Sequence, residues 1–165
     1  MTYRWLLPIV LLLLTACEDE AVAPPPPPAT MSSEAIGHFC LMNVAEHPGP
    51  KGQAHVAGQS EPVWFPSVRD LLTFRVLPGE TGEITALYVS DTGAAPSFEQ
   101  IDPSRWVAAE RAFYVIGSDK AGGMGASEAV PFADEADARA FQGDHGGDVV
   151  GLDGISRAWI FGENG

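Results

Sequence analysis

Val63-Trp64-Phe65-Pro66-Ser67-Val68-Arg69-Asp70 is the stretch whose reading decides the fold. Three apolar or aromatic residues fit a short buried strand, proline ends it, and serine then offers its hydroxyl as a helix N-cap with an acidic residue three positions on. The same grammar returns in Val130-Pro131-Phe132-Ala133-Asp134-Glu135-Ala136-Asp137, with aspartate as the cap. Two strand-to-helix entries of one kind organise everything around them.

Working outward from the first entry, residues 52–57 and 62–65 read as short strands, 67–77 as an amphipathic helix stopped by Pro78-Gly79, and 83–90 as a longer strand. In the helix, Val68, Leu71, Leu72 and Val76 share one face, while Arg69, Asp70 and Arg75 take others. Around the second entry, 111–118 and 128–132 read as strands, 134–141 as a helix and 147–152 as a strand. The expected fold class is α+β, a duplicated ββαβ unit with halves at about 34–100 and 101–165 of one domain spanning 34–165.

Ahead of that domain, Arg4, an apolar run over residues 5–14 and the tetrapeptide Leu14-Thr15-Ala16-Cys17 form a signal peptide, 1–16, ending in a lipobox. The apolar run is about half of the ~20 residues a membrane-spanning helix needs. Cys17 is thus expected to be lipidated, anchoring the chain to a membrane without crossing it, in the periplasm; Glu18 after the cysteine favours the outer membrane over the inner. Residues 17–33, with five consecutive prolines at 24–28, read as a stiff polyproline spacer off the lipid.

The formal charge is −13, or −14 once Arg4 leaves with the leader, which excludes nucleic acid and anionic lipid as natural partners. An acidic surface suits solubility and attraction to cations or a basic protein.

With Cys17 assigned, Cys40 is the one thiol left in an exported chain, where a spare thiol is a hazard unless its sulfur has a use. It lies in His38-Phe39-Cys40-Leu41-Met42-Asn43-Val44-Ala45-Glu46-His47. If that segment is extended, Cys40 and Met42 face the same way and Leu41 points into the core. Thiolate and thioether are soft ligands that select Cu(I). The competing reading buries both sulfurs as ordinary core residues.

A third sulfur is available from Met124, set among glycines in Gly122-Gly123-Met124-Gly125, which read as a loop displaying the side chain. His38 and His47 flank the sulfur pair as candidate nitrogen ligands; His55, in a strand, and His145, in the turn 143–146, are weaker candidates, and Met31 falls in the spacer. No zinc-finger spacing, HExxH, CxxCH, GxSxG or P-loop occurs, and the glycine cluster lacks a dinucleotide-binding context. The chain is therefore not expected to be an enzyme. A Cys40 nucleophile paired with a histidine has no local support.

Cys40-Leu41-Met42 followed by His47-Pro48-Gly49-Pro50-Lys51-Gly52-Gln53, with Gly123-Met124-Gly125 leading into Val130-Pro131-Phe132 and the acidic, alanine-rich helix to Phe141, resembles the NosL family. These are lipoprotein accessory proteins of nitrous-oxide reductase maturation. The resemblance covers essentially all of the chain after the spacer. It implies a periplasmic copper chaperone that carries one Cu(I) on Cys40, Met42 and Met124 and passes it, with the help of an ABC-type complex, toward the copper sites of the apo-reductase. It also implies two ββαβ modules, in an architecture related to organomercurial lyase. The alternatives are a metal-free periplasmic scaffold, a chaperone for another copper enzyme, or a lyase-like thiol enzyme.

Overall fold

The computed structural model describes residues 24–77, 79, 82–102 and 104–163. The leader and Cys17 lie outside them. Among the described residues no helix is long and apolar enough to cross a membrane.

Two antiparallel sheets form the frame. The first has strand order β2-β1-β3-β4, from β1 (Gly52–Val56), β2 (Val63–Phe65), β3 (Ile84–Ser90) and β4 (Trp106–Ala108); the second has order β6-β5-β7, from β5 (Phe113–Ile116), β6 (Val130–Phe132) and β7 (Asp148–Val150). Helix α1 (Val68–Val76) follows β2, and α2 (Glu135–His145) follows β6. In both sheets the first strand sits in the middle, the second pairs on one side, and the strand after the helix pairs on the other.

The strand-to-helix entries behave as their chemistry requires. Ser67 Oγ accepts from the Asp70 N–H at 3.1 Å, and Asp134 Oδ1 accepts from the Ala136 N–H at 2.7 Å. Each cap satisfies an N–H that would otherwise lack a partner in the first helical turn. Helix α2 runs to His145, past the expected end at 141, because the chain meets a residue free to take a positive φ only at Gly146, φ 71°. His145 therefore belongs to the last helical turn and not to a loop.

Two elements were not expected from sequence. Strand β4 pairs with β3 through Val89 and Val107, so the first sheet takes a strand from beyond residue 100. Helix α3 (Arg157–Phe161) packs on α1. Arg69 of α1 holds it there, donating to the carbonyls of Ile160 (2.8 Å) and Trp159 (2.6 Å) with its guanidinium 4.8 Å from the Trp159 ring centre. A cation at a helix C-terminus meets carbonyls that have no intrahelical partner.

The main core gathers Phe65, Val68, Leu71, Leu72, Phe74, Val89 and Tyr114, and a smaller one holds Val115, Val130, Phe132 and Ala138 beneath α2. Close packing is explicit at Gly52, where an added Cβ would fall 2.7 Å from Leu71 Cβ, so α1 rests directly on the β1 backbone.

The proline-rich segment does not stand free from residue 24 onward. Gln53, with no exposure at all, exchanges two hydrogen bonds with the backbone of Ala29 (2.8 and 2.9 Å), and Tyr88 Oη donates to the Pro26 carbonyl at 2.7 Å. A buried amide needs partners, and this one finds them in the spacer.

Leu71 has no exposed surface and meets both β1 and the core. Leu71→Ala should cost about 2–5 kcal/mol, read as a lowered urea midpoint with an unchanged slope.

Candidate metal centre

Cys40 sits on a tight loop pinned to the edge of the first sheet. Gly37 N–H donates to the Met42 carbonyl and Leu41 N–H to the Gly37 carbonyl, both at 2.9 Å, while His38 N–H donates to Trp64 of β2 at 2.9 Å. The loop is closed by a bridge between Ile36 and Asn43. Asn43 then caps a short 3-10 turn, Val44–Glu46, through the Ala45 N–H at 2.8 Å.

This geometry corrects the extended reading of Cys40-Leu41-Met42. Leu41 is left-handed, φ 56°, and 77% exposed, so it does not point into the core. The backbone turns at Leu41 to bring the Met42 carbonyl onto the Gly37 N–H. Cys40 Sγ lies against Gly37, where an added Cβ would be 2.7 Å from the sulfur and 3.2 Å from Pro66 Cδ. The thiol is unpaired and half-buried. Met42 is 44% exposed, so the reading that would bury it in the core does not apply.

Met124 reaches the same neighbourhood from the second sheet. Its loop is a closed turn, with Gly122 N–H donating to Ala126 and Gly125 N–H to Gly122, both at 2.8 Å, and Gly125 at φ 80°. Met124 is 45% exposed. The flanking glycines have a different purpose from leaving the side chain unpacked: a Cβ on Gly123 would be 2.7 Å from His47 Cβ and 2.9 Å from the Pro66 carbonyl. The two sulfur-bearing loops thus press on the same proline, Pro66.

His47 links them. Its Nδ1 is 3.1 Å from the Gly123 carbonyl, which can only accept, so Nδ1 carries the proton and Nε2 keeps its lone pair in the neutral ring. The His38 ring instead lies edge-on among Phe39, Phe65 and Phe74, with centroids 4.9, 6.0 and 5.0 Å away. His55 is placed elsewhere, bonded to Gln53 at 3.0 Å and held below its ordinary pKa by burial, and His145 pairs with Asp119 at 3.0 Å.

Two buried ionisable side chains, Lys51 and Glu128, lie beneath these loops and are not marked by any motif in the sequence. The Lys51 ammonium donates to the carbonyls of His47 (2.7 Å), Pro48 (3.1 Å) and Gly49 (2.6 Å), with Pro66 at 3.4 Å. Burial draws its pKa down to about 8, against the opposing pull of Glu128. The Glu128 carboxylate accepts from the N–H groups of Val68 (3.2 Å), Arg69 (3.0 Å) and Ala129 (2.9 Å), capping α1 from a distant part of the chain. Burial pushes this carboxyl up to about 8; the backbone donors pull it down and Asp70 pushes it further up. Gly122 lies directly over it, since a Cβ there would collide with Oε2. The visible signal for Lys51 is a lysine locked between Pro50 and Gly52, where no solvent-exposed helix or strand face exists to receive it.

Among the described residues no three His, Cys, Asp or Glu side chains come together as a metal-binding group. Thiol and thioether sulfurs such as those of Cys40, Met42 and Met124 are soft donors, suited to a soft monovalent ion and poorly suited to a hard, oxygen-seeking cation. Fold and site together define a two-sheet α+β domain that presents sulfur on exposed loops.

The comparisons give that class a family. The NosL family model matches residues 28–160. The copper-binding lipoprotein NosL of Achromobacter cycloclastes is 44% identical over 131 residues, covering 79% of this chain and 68% of that protein. The protein of the same description from Stutzerimonas stutzeri is 37% identical over 124 residues, covering 74% of this chain but 63% of its own length. The crystal structure of the copper chaperone NosL from Shewanella denitrificans superposes with a TM-score of 0.73 at 31% identity, over 82% of this chain and 99% of that one. The apo-NosL solution structure from Achromobacter cycloclastes gives a TM-score of 0.51 at 40% identity, over 67% and 88%. This chain belongs to the NosL family.

The Glu128 pKa, raised to about 8 in the folded protein against 4.5 when unfolded, makes the folded state hold the extra proton between those values. Its stabilising contribution is complete below the unfolded pKa and is lost as pH rises through the folded one. Unfolding free energies measured from pH 4 to 9 should therefore fall more steeply for the wild type than for Glu128→Gln. Parallel curves would refute the assignment.

Proposed function

We propose that this protein is a periplasmic Cu(I) chaperone that carries one ion on Cys40, Met42 and Met124 and serves the maturation of nitrous-oxide reductase. The observation that carries the reading is the exposure of the Met42 and Met124 thioethers on two loops that both rest on Pro66, one of which also carries the unpaired Cys40 thiol. A methionine left nearly half in water gives up close to half of the roughly 1.5–3 kcal/mol its full burial would supply, and a soft ion is what recovers that loss. The descriptions of the relatives as copper-binding lipoproteins and a copper chaperone support the choice of ion.

Transfer follows from ligand number. Cu(I) has a filled d shell and accepts few ligands without a fixed geometry, so an ion held by sulfurs at the protein surface stays open to incoming ligands. An acceptor that docks can add its own sulfur or imidazole before the chaperone's ligands leave, and the ion is never free. His47 Nε2, with its ring oriented by the Gly123 carbonyl, serves as an auxiliary ligand; His38, packed among three phenylalanine rings, is the weaker candidate. The acceptors are an ABC-type maturation complex and the apo-reductase. Lipidation at Cys17, in the lipobox, holds the chaperone at the periplasmic face of a membrane, by preference the outer one.

Anaerobic competition against a chromogenic Cu(I) chelator should show one tight site. Cys40→Ser should weaken it by at least about a hundredfold, or about 2.8 kcal/mol, and Met42→Leu or Met124→Leu by smaller factors. Binding displaces the thiol proton, so affinity should also decline toward acid pH. Unchanged affinity in the triple variant Cys40→Ser, Met42→Leu, Met124→Leu would refute this ligand set, and a wild type with no tight site would leave the metal-free scaffold as the function.

A further inference from the structure

Apolar side chains scattered singly over a surface are ordinary; their concentration in one place is not. Among the described residues, Ile36, Phe39, Leu41, Met42, Met124 and Phe161 are the large hydrophobics left exposed. Four of them stand on the Cys40 loop within residues 36–42, and Met124 stands on the loop that shares Pro66 with it. The Ile36–Asn43 bridge and the Gly37–Met42 hydrogen bond fold the first loop into a tight turn, so its apolar tips are held together at one place on the surface.

Leu41 sharpens the point. It takes a left-handed conformation, φ 56°, that glycine or asparagine would adopt with less strain. It is also the most exposed large hydrophobic among the described residues. The turn by itself does not call for leucine; a contact with something outside the chain does. Phe39 roots the same surface in the main core, its ring centre lying 5.9 Å from that of Phe65 and 6.4 Å from that of Phe74 while its outer part stays open.

The charge around the loop selects what covers it. Glu34 and Glu46, both exposed, flank the turn in sequence, and no lysine or arginine occurs between residues 31 and 50. The whole chain carries −13. A second copy would set acid against acid, and an anionic lipid surface would be repelled in the same way.

We propose that the tip of the Cys40 loop, with Leu41 at its centre, is the docking surface for the copper acceptor, whose matching face is an apolar depression edged by lysine and arginine. An apolar centre inside a polar border is the usual anatomy of a protein interface. Because Leu41 lies between Cys40 and Met42, a depression that seats it brings the acceptor's own ligands to residues whose Cα atoms are only ~3.8 Å from that of Leu41. Recognition and transfer then share one turn but use different side chains. The identity of the acceptor rests on the proposed function; the surface itself is present without metal.

The test uses the mature lipoprotein without metal, with the purified ABC-type complex and the apo-reductase as separate probes in biolayer interferometry. One of the two should bind. Binding should weaken by at least about tenfold in Leu41→Asn and in Ile36→Ser, the scale of one lost apolar anchor, and should weaken again as salt is raised. Asparagine keeps the left-handed turn, so Cu(I) affinity by chelator competition and the urea midpoint should both stay as in the wild type. Docking that both variants leave intact, docking strengthened by salt, or no docking of the wild type to either probe would overturn the inference. A dimer or a binding to phosphatidylcholine vesicles that depends on Leu41, in place of docking to the probes, would overturn it too. A wild type that docks as described but fails to hold Cu(I) would support the surface while refuting the chaperone.

Discussion

The Lys51 ammonium is the constraint on which the site depends. A buried cation is costly unless its donors are all used, and Lys51 uses them on the carbonyls of His47, Pro48 and Gly49, with Pro66 close by. Those four carbonyls belong to the two backbone segments that frame the sulfur loops. One point charge therefore fixes the loop that carries His47 and the proline on which both sulfur loops rest. Glu128, whose burial lifts its pKa to about 8 and keeps it mostly protonated near neutral pH, caps α1 by accepting from the Val68 and Arg69 N–H groups.

That foundation explains how the sulfurs can be exposed without being loose. Met42 and Met124 have little packing of their own, but the peptide groups around them are held by Gly37, Ala126 and the His47–Gly123 contact. The left-handed Leu41, a conformation that costs a non-glycine residue roughly 1–2 kcal/mol, is the strained point of the loop. It persists because the Gly37–Met42 and Leu41–Gly37 hydrogen bonds over-determine it. Fixed loop roots with exposed thioether tips suit a ligand that must be both held and surrendered.

The fold was legible where local chemistry and global packing agreed. Both capped strand-to-helix entries, the apolar face of α1 and the longer strand β3 follow from spacing and capping residues, and they appear where the pattern places them. Strand β4 was not legible, because Trp106-Val107-Ala108 is too short to carry a period and is a strand only by pairing with β3. Helix α3 was missed for a similar reason: it is five residues long, and its stability comes from Arg69, far away in sequence. In the site, the donor types were visible but the turn at Leu41 was not, since alternation was applied to a segment whose hydrogen bonds close on themselves. Lys51 and Glu128 were hidden because a charged residue reads as solvent-facing until its partners, up to 60 positions away, are known.

The proline run shows the same limit from the opposite side. Composition reads it as a spacer because prolines cannot donate backbone hydrogen bonds and have no sheet to join. Their carbonyls still accept, and Tyr88 uses one; Ala29, the first residue past the run with an N–H to give, pairs with Gln53. Gln53 is the informative residue, a fully buried amide in the middle of β1 that no strand neighbour satisfies except through His55. Such a side chain in a central strand demands a polar partner from outside the sheet. The low-complexity segment is the part of the chain whose exposed backbone carbonyls and first free amide can meet that demand, which is why it lies on the protein instead of beside it.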